Sequence, residues 1–286
     1  MPRTRDDLSD DEIDALLNAL NSVETRGKAT MELYKAGIYS SREFLGKLLE
    51  FTEILENSDI DGRDIAEMQF DVTLILEAVE DLLEEDVGNH IPLLGKALNS
   101  ELLRDWPEYT IHETILRGFN EIDVRQVLDP VVKFICGLKW TAEDVIRPED
   151  MYIMHTSLEA LDLATRIAHR YNYSELGERL RYFLEARDVW HPFILGNRIG
   201  DWALDRLVEI EGIGCIEDLI PRVYGQAESS LGPELDGLVC SKVVDFGVEA
   251  IPWLLPHIDT TSGRMRWRSL MDSLPVLTSQ RCSTSI

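Results

Sequence analysis

The chain has 286 residues, 44% of them hydrophobic, and carries 53 acidic against 28 basic side chains for a formal net charge of −25. A chain of this length can bury a substantial core without covalent staples, and no stretch of it approaches the roughly 18 uninterrupted apolar residues that a membrane span needs. For want of such a span a membrane is not an expected partner, and so negative a balance repels phosphate backbones and speeds encounter with basic protein surfaces, which excludes nucleic acid as an expected partner and favours a protein with a basic surface.

The first predicted helix opens at Ser9, whose side chain can cap it, and on that helix Leu8, Ile13, Leu16 and Leu17 form an apolar stripe while Glu12 and Asp14 face outward. A flexible linker is expected over about residues 21–30. The segment Leu8-Ser9-Asp10-Asp11-Glu12-Ile13-Asp14-Ala15-Leu16-Leu17 resembles the N-terminal peptide of flagellar motor switch proteins of the FliM and FliY kind, Leu-Ser-Gln-x-Glu-Ile-Asp-Ala-Leu-Leu, with Asp10 in place of the glutamine. The resemblance implies docking on a CheY-like receiver domain. It stops there, since nothing later in the chain resembles the rest of a switch protein. An acidic first turn behind a serine cap also describes an ordinary helix start, docked or frayed.

Ser40-Ser41-Arg42-Glu43 is a capping box that predicts a helix through about Glu56. The following Asn57-Ser58-Asp59-Ile60-Asp61-Gly62 imitates the first half of a calcium loop, but Met68 stands where the bidentate glutamate belongs, so it reads as an Asx turn. An acidic helix is expected over 63–85. Further helices follow at about 90–103, 107–119, 123–138, 148–172, 174–187, 200–211, 214–225, 236–246, 248–258 and 263–275. Their connections are brief, which makes successive helices antiparallel neighbours in either a bundle or a stack.

Few fragments point to chemistry. His112-Glu113 is a lone pair of its kind, and no HExxH, GxSxG, Walker or GxGxxG pattern occurs. On the helix near 148–172, His155, Glu159, Asp162, Arg166 and His169 share one face, opposite Met154, Leu161, Ala164, Ile167 and Ala168. The two histidines of that stripe are about 21 Å apart along the axis, too far to share a metal, so the stripe reads as a solvated or partner-facing surface with internal ion pairs. Trp190-His191-Pro192-Phe193 fits an aromatic anchor at an interface or a plug under a loop. Gly212-Ile213-Gly214 has the spacing of a phosphate-gripping hairpin, but Glu209, Glu211, Glu217 and Asp218 surround it. No catalytic, cofactor-binding or metal-ligating residue is assigned. A helical metal- or carboxylate-dependent enzyme stays as an alternative function.

Gly212-Ile213-Gly214-Cys215-Ile216-Glu217-Asp218-Leu219-Ile220-Pro221 lies over Gly247-Val248-Glu249-Ala250-Ile251-Pro252-Trp253-Leu254-Leu255-Pro256 at an offset of 35 residues, each copy preceded by an amphipathic helix. Ile91-Pro92-Leu93-Leu94 is a weaker third occurrence. These segments resemble the HEAT-repeat family, moderately over 200–275 and weakly over 86–138. The resemblance implies an all-α, α-solenoid fold whose curved surface holds proteins. The expected organisation is an acidic N-terminal helix and linker at 1–30 and a helical-repeat body at 31–286, the latter comprising acidic helices at 31–86, HEAT-like pairs at 87–275 and a flexible tail at 276–286.

The expected function is that of a non-catalytic scaffold or adaptor binding a basic protein, with a signalling role through a receiver domain as the alternative; Leu8, Glu12, Ile13, Leu16, Leu17, His155, Glu159, Asp162 and Trp190 are the residues assigned to partner contact. Residues 1–90 hold 23 acidic and 8 basic side chains, a net of −15, so the charge is uneven. A solubility or high-salt adaptation, in keeping with only 7 lysines, explains the same charge equally well. Four widely separated cysteines without CxxC spacing read as reduced thiols, and with two arginines but no apolar stretch behind the first residues the expected location is the cytoplasm.

Overall fold

Serine–glutamate boxes start two of the first three helices. In the computed structural model Ser9 caps α1 (Asp10–Ala19): its Oγ accepts from the Glu12 amide at 3.3 Å, and Glu12 Oε2 accepts from the Ser9 amide at 2.9 Å. Helix α2 spans Val23–Lys35, and α3 (Ser41–Glu56) repeats the box with Ser40 and Glu43 at 3.3 and 3.0 Å. The structure describes residues 8–57, 62–104, 110–138, 150–189, 196–222, 224–229, 232–235 and 237–258. The segments at 58–61 and 190–193, the helix expected at 263–275 and the tail at 276–286 lie outside the described residues.

The linker expected at 21–30 is for the most part helix α2, and Gly27 explains why. A Cβ there would meet Gln69 Oε1 at 2.9 Å and Phe51 Cε1 at 3.0 Å, so the glycine permits close packing and is not a hinge. Its amide donates to Gln69 Oε1 at 2.8 Å, while Gln69 Nε2 donates to the Val23 and Glu24 carbonyls at 3.1 and 2.9 Å.

The helix expected over 63–85 is two helices, α4 (Gly62–Gln69) and α5 (Val72–Glu84). Phe70 turns into the core at the break, and the Asp71 carboxylate restarts the helix by accepting from the Thr73 amide at 3.1 Å. Next come α6 (Val87–Leu98), the single turn α7 (Glu101–Arg104), α8 (Thr110–Glu121), a 3-10 turn at Arg125–Val127, α9 (Leu128–Gly137) and α10 (Asp150–Arg170). Glu56, at the end of α3, serves α7: its Oε1 accepts from Ser100 Oγ at 2.9 Å and from the Leu102 amide at 3.2 Å.

Contacts divide the chain into two units, 1–173 and 174–286. Within the first, α5 packs on α3 and α8, α8 packs on α10, and α6 lies beside α9. Phe44, Leu48, Phe51, Ile75, Leu82, Leu94 and Phe119 are fully buried there, burial worth about 1.5–3 kcal/mol for each large side chain. Arg170 fixes the end of α10 by donating to Asn120 and to the Ile122 carbonyl, and the Tyr171 hydroxyl donates to Asp123 Oδ1 at 3.2 Å.

In the second unit α11 (Leu176–Val189) packs along α12 (Gly196–Glu211), burying Leu180, Phe183, Leu184, Leu204 and Leu207. The helix expected over 214–225 is instead the short α13 (Ile216–Leu219), a 3-10 turn at Ile220–Arg222 and the start of an antiparallel hairpin, β1 (Tyr224–Ser229) with β2 (Gly232–Leu235). Ser229 pairs with Gly232 at the tight end, and the register slips between Tyr224 and Glu228. Helices α14 (Gly237–Asp245) and α15 (Ile251–Ile258) complete the unit. Helices thus carry the fold, with this one ribbon among the described residues.

The two copies offset by 35 residues adopt the same local course. Gly212 follows α12 at φ +56° and Gly247 follows α14 at φ +58°; each opens a 3-10 turn, Gly212–Cys215 and Gly247–Ala250, from which a helix begins at Ile216 or Ile251. Cys215 and Ala250 are both buried, as are Leu219 and Leu254. The copies part at Ile220, which is buried, and Leu255, which is 58% exposed.

Candidate functional site

Four surfaces compete for function, and the N-terminal helix is the first. It packs on α2 without burying any residue: Leu8, Ile13 and Leu16 are half-buried and Leu17 is 42% exposed. The Glu12 carboxylate is engaged in the capping box, so its charge fixes the helix start before it meets anything else. Asp10, Asp11 and Asp14 stand exposed beside it.

On α10 the buried face is the one the spacing required, with Leu161, Ala164, Ile167 and Ala168 all buried. The polar stripe is largely neutralised. Asp162 pairs with Arg166 at 2.7 Å, and Glu159 accepts from Arg117 of α8 at 2.8 Å while Arg117 also pairs with Glu113 one turn back. Burial, followed by the charge of Glu159, raises the pKa of the Glu113 carboxyl, and the Arg117 guanidinium offsets this in part. His155 is placed on α10 by its backbone, its side chain lies outside the described set, and Trp190 lies outside it altogether. His112 is fully buried, its ring stacked on Phe134 with centroids 5.7 Å apart, and belongs to the core.

Carboxylates without counterions lie on α5. Glu77, Glu80 and Glu84 recur at helical spacing on its exposed side, no basic residue occurs in that helix, and no ion pair among the described residues uses them.

A groove of about 420 Å³ runs between α6 and α9. One wall is a single stripe of α6, Gly88, Ile91, Pro92, Gly95, Lys96 and Asn99. The other is Gln126, Asp129, Pro130 and Lys133, also at steps of three and four. The helices are in close contact at Gly95, where a Cβ would lie 2.7 Å from Pro130 Cβ. Asn99 locks that end by donating from Nδ2 to the Gly95 carbonyl at 2.8 Å and the Pro130 carbonyl at 3.0 Å.

Among the described residues no helix is long and apolar enough to cross a membrane, and no group of three or more His, Cys, Asp or Glu side chains is placed to hold a metal ion. No family model, curated protein or solved structure matches the chain.

Proposed function

We propose that this chain is a non-catalytic protein-binding scaffold, a HEAT-like helical-repeat stack that presents an acidic surface to a partner with a basic surface. What supports the reading is the packing in residues 1–173, where α5 meets α8, α8 meets α10 and α6 lies beside α9 as well as α3, α5 and α8, so that neighbouring helices share their apolar sides. The like conformations at Gly212 and Gly247 add support from the second unit. The exposed Glu77, Glu80 and Glu84 supply uncompensated charge for electrostatic attraction. The test is affinity capture from native extract at low and at physiological salt, with wild-type protein beside an E77Q/E80Q/E84Q variant. A stable basic partner retained by wild type and weakened in the variant is expected; no partner at either salt refutes the scaffold.

A second reading is favoured by α1, which forms behind an intact capping box and leaves its apolar stripe partly uncovered. In it, residues 8–17 dock on a CheY-like receiver domain while the rest of the chain holds another protein. A fluorescent peptide of residues 8–17 titrated with phosphorylated and unphosphorylated receivers tests it, and absence of binding to both ends it.

A further inference from the structure

The α6–α9 groove departs from the charge of the chain. Its lining holds Lys96 and Lys133 against the single acid Asp129, within a chain of net charge −25 whose acids Glu85, Asp86, Glu101 and Asp123 flank segments 87–100 and 124–138. Lys96 and Lys133 rise from opposite walls, both exposed, and no ion pair among the described residues uses either. Between them the lining is Ile91, Pro92 and Pro130, apolar and short, with the Gln126 amide and the exposed Asp129 carboxylate on the α9 side. The α6 wall extends for about 16 Å, eleven residues at 1.5 Å each, enough for three turns of helix. The Gly95–Pro130 contact and the Asn99 hydrogen bonds hold the two walls together, so the groove exists before anything enters it.

We infer that this groove is a docking site for an acidic, amphipathic peptide segment of a partner protein. Charge complementarity carries the choice of occupant: the segment's apolar side chains lie on Ile91, Pro92 and Pro130, and its carboxylates, one on each flank, meet Lys96 and Lys133. A basic surface is drawn elsewhere, to the carboxylates of α5. The groove is independent of the acidic surface invoked above, so either interaction can be lost without the other.

The probe is a fluorescein-labelled twelve-residue peptide of leucine and glutamate with leucines three and four apart, and a counterpart with lysine for every glutamate, each titrated into the full chain by anisotropy. In the E77Q/E80Q/E84Q background, which removes the α5 surface for a basic peptide, the glutamate peptide is expected to bind at least tenfold tighter than the lysine peptide, and more weakly as salt rises. K96E/K133E should weaken it about tenfold or more, from two lost attractions turned to repulsions, while K96R/K133R retains it. Q126W plugs the rim without changing charge and should weaken it as well. Both lysines and Gln126 are exposed, so circular dichroism of each variant should match wild type. The proposal is overturned if the glutamate peptide does not bind, if the lysine peptide binds the E77Q/E80Q/E84Q chain as tightly as the glutamate peptide does, or if K96E/K133E with native dichroism stays within twofold of wild type. It is equally overturned if sedimentation shows the chain dimerising through this groove, since the occupant is then a second copy.

Discussion

Replacing Gly212 or Gly247 by alanine isolates the conformational requirement of the repeat from its packing. Both residues have positive φ, +56° and +58°, and no atom lies within 4 Å of a Cβ added at either. Nothing is therefore crushed and nothing newly buried, which removes the usual packing contribution. What is left is the left-handed penalty of about 1–2 kcal/mol for a residue with a Cβ. Against it stands the narrower unfolded ensemble of alanine, worth about 0.4–1 kcal/mol. The net expectation is a loss of about 1 kcal/mol for G212A and the same for G247A, or about 2 °C in Tm. Gly214 sits in the same 3-10 turn with no positive φ, its Cβ would find only Glu211 Cβ at 3.8 Å, and G214A should stay within about 0.5 kcal/mol of wild type. Urea unfolding followed by far-ultraviolet dichroism measures all three, with unchanged m values as the condition for comparing midpoints. Should G212A behave like G214A, or should the two glycines differ by more than about 1 kcal/mol, the copies do not share a backbone requirement and the 35-residue unit is no repeat.

Arg181 donates from Nη1 and Nη2 to Glu211 at 2.8 and 2.6 Å and from Nε to Asp218 at 2.9 Å, in a half-buried cluster linking α11 to the end of α12 and to α13. R181M should lower unfolding free energy by about 2–3 kcal/mol because two carboxylates then face each other unpaired, and R181M/E211Q/D218N should recover most of the loss in the same urea assay. The folded-state pKa of Glu113 is raised by burial and by Glu159, so the folded protein holds this proton more tightly than the unfolded chain; stability from this group is greatest below the unfolded value and declines as pH rises through the folded one. E113Q should remove that decline, which paired pH titrations of stability for variant and wild type would show, and an identical slope in both would count against it. Burial, with Glu211 and Asp218 adding, pushes the Cys215 thiol up to about 11, and its Sγ donates to the Gly212 carbonyl at 3.0 Å. In a C136S/C240S/C282S background it should stay unreactive toward a disulfide reagent at pH 8 until denaturant is added, whereas the exposed Cys136 of wild type reacts at once.

What could be read from sequence was local. The boxes at Ser9 and Ser40 need only four consecutive residues, and the glycine pair at 212 and 247 announces itself by spacing alone; all four positions fold as their neighbours dictate. The α10 core face followed from periodicity for the same reason. The misreadings are long-range. The segment 21–30 was expected to be a flexible linker, and the contacts of Gly27 with Gln69 and Phe51, distant in sequence, are what hold it as helix. The break at Phe70 was hidden because the apolar period runs through it, although Asp71 before Thr73 is a capping signal in hindsight. The groove left its mark as two helical stripes, Gly88 to Asn99 and Gln126 to Lys133, short of large apolar side chains; that they lie side by side is a property of tertiary contact.

The placement of charge separates two stripes that composition treats alike. On α10, acids and bases alternate at steps of three and four, so Asp162 finds Arg166 within its own helix and Glu159 finds Arg117 across the gap to α8. A stripe neutralised in this way has little field left to attract a distant protein; its ion pairs hold α8 to α10, and each is worth only a few tenths of a kcal/mol where exposed. On α5, Glu77, Glu80 and Glu84 repeat the same sign at the same spacing, and like charges one turn apart mildly oppose the helix that bears them. That helix persists because Ile75, Ala78, Val79 and Leu82 are buried on its other side, so the core sustains a charge pattern that the isolated helix would not favour. E77Q/E80Q/E84Q should consequently leave stability unchanged or slightly raised while reducing association with a basic partner, the opposite balance to neutralising Glu159, which should loosen α8 from α10 and leave association intact. If the partner instead followed Glu159, the attracting surface would be the α10 stripe after all, with its ion pairs opening to admit the partner.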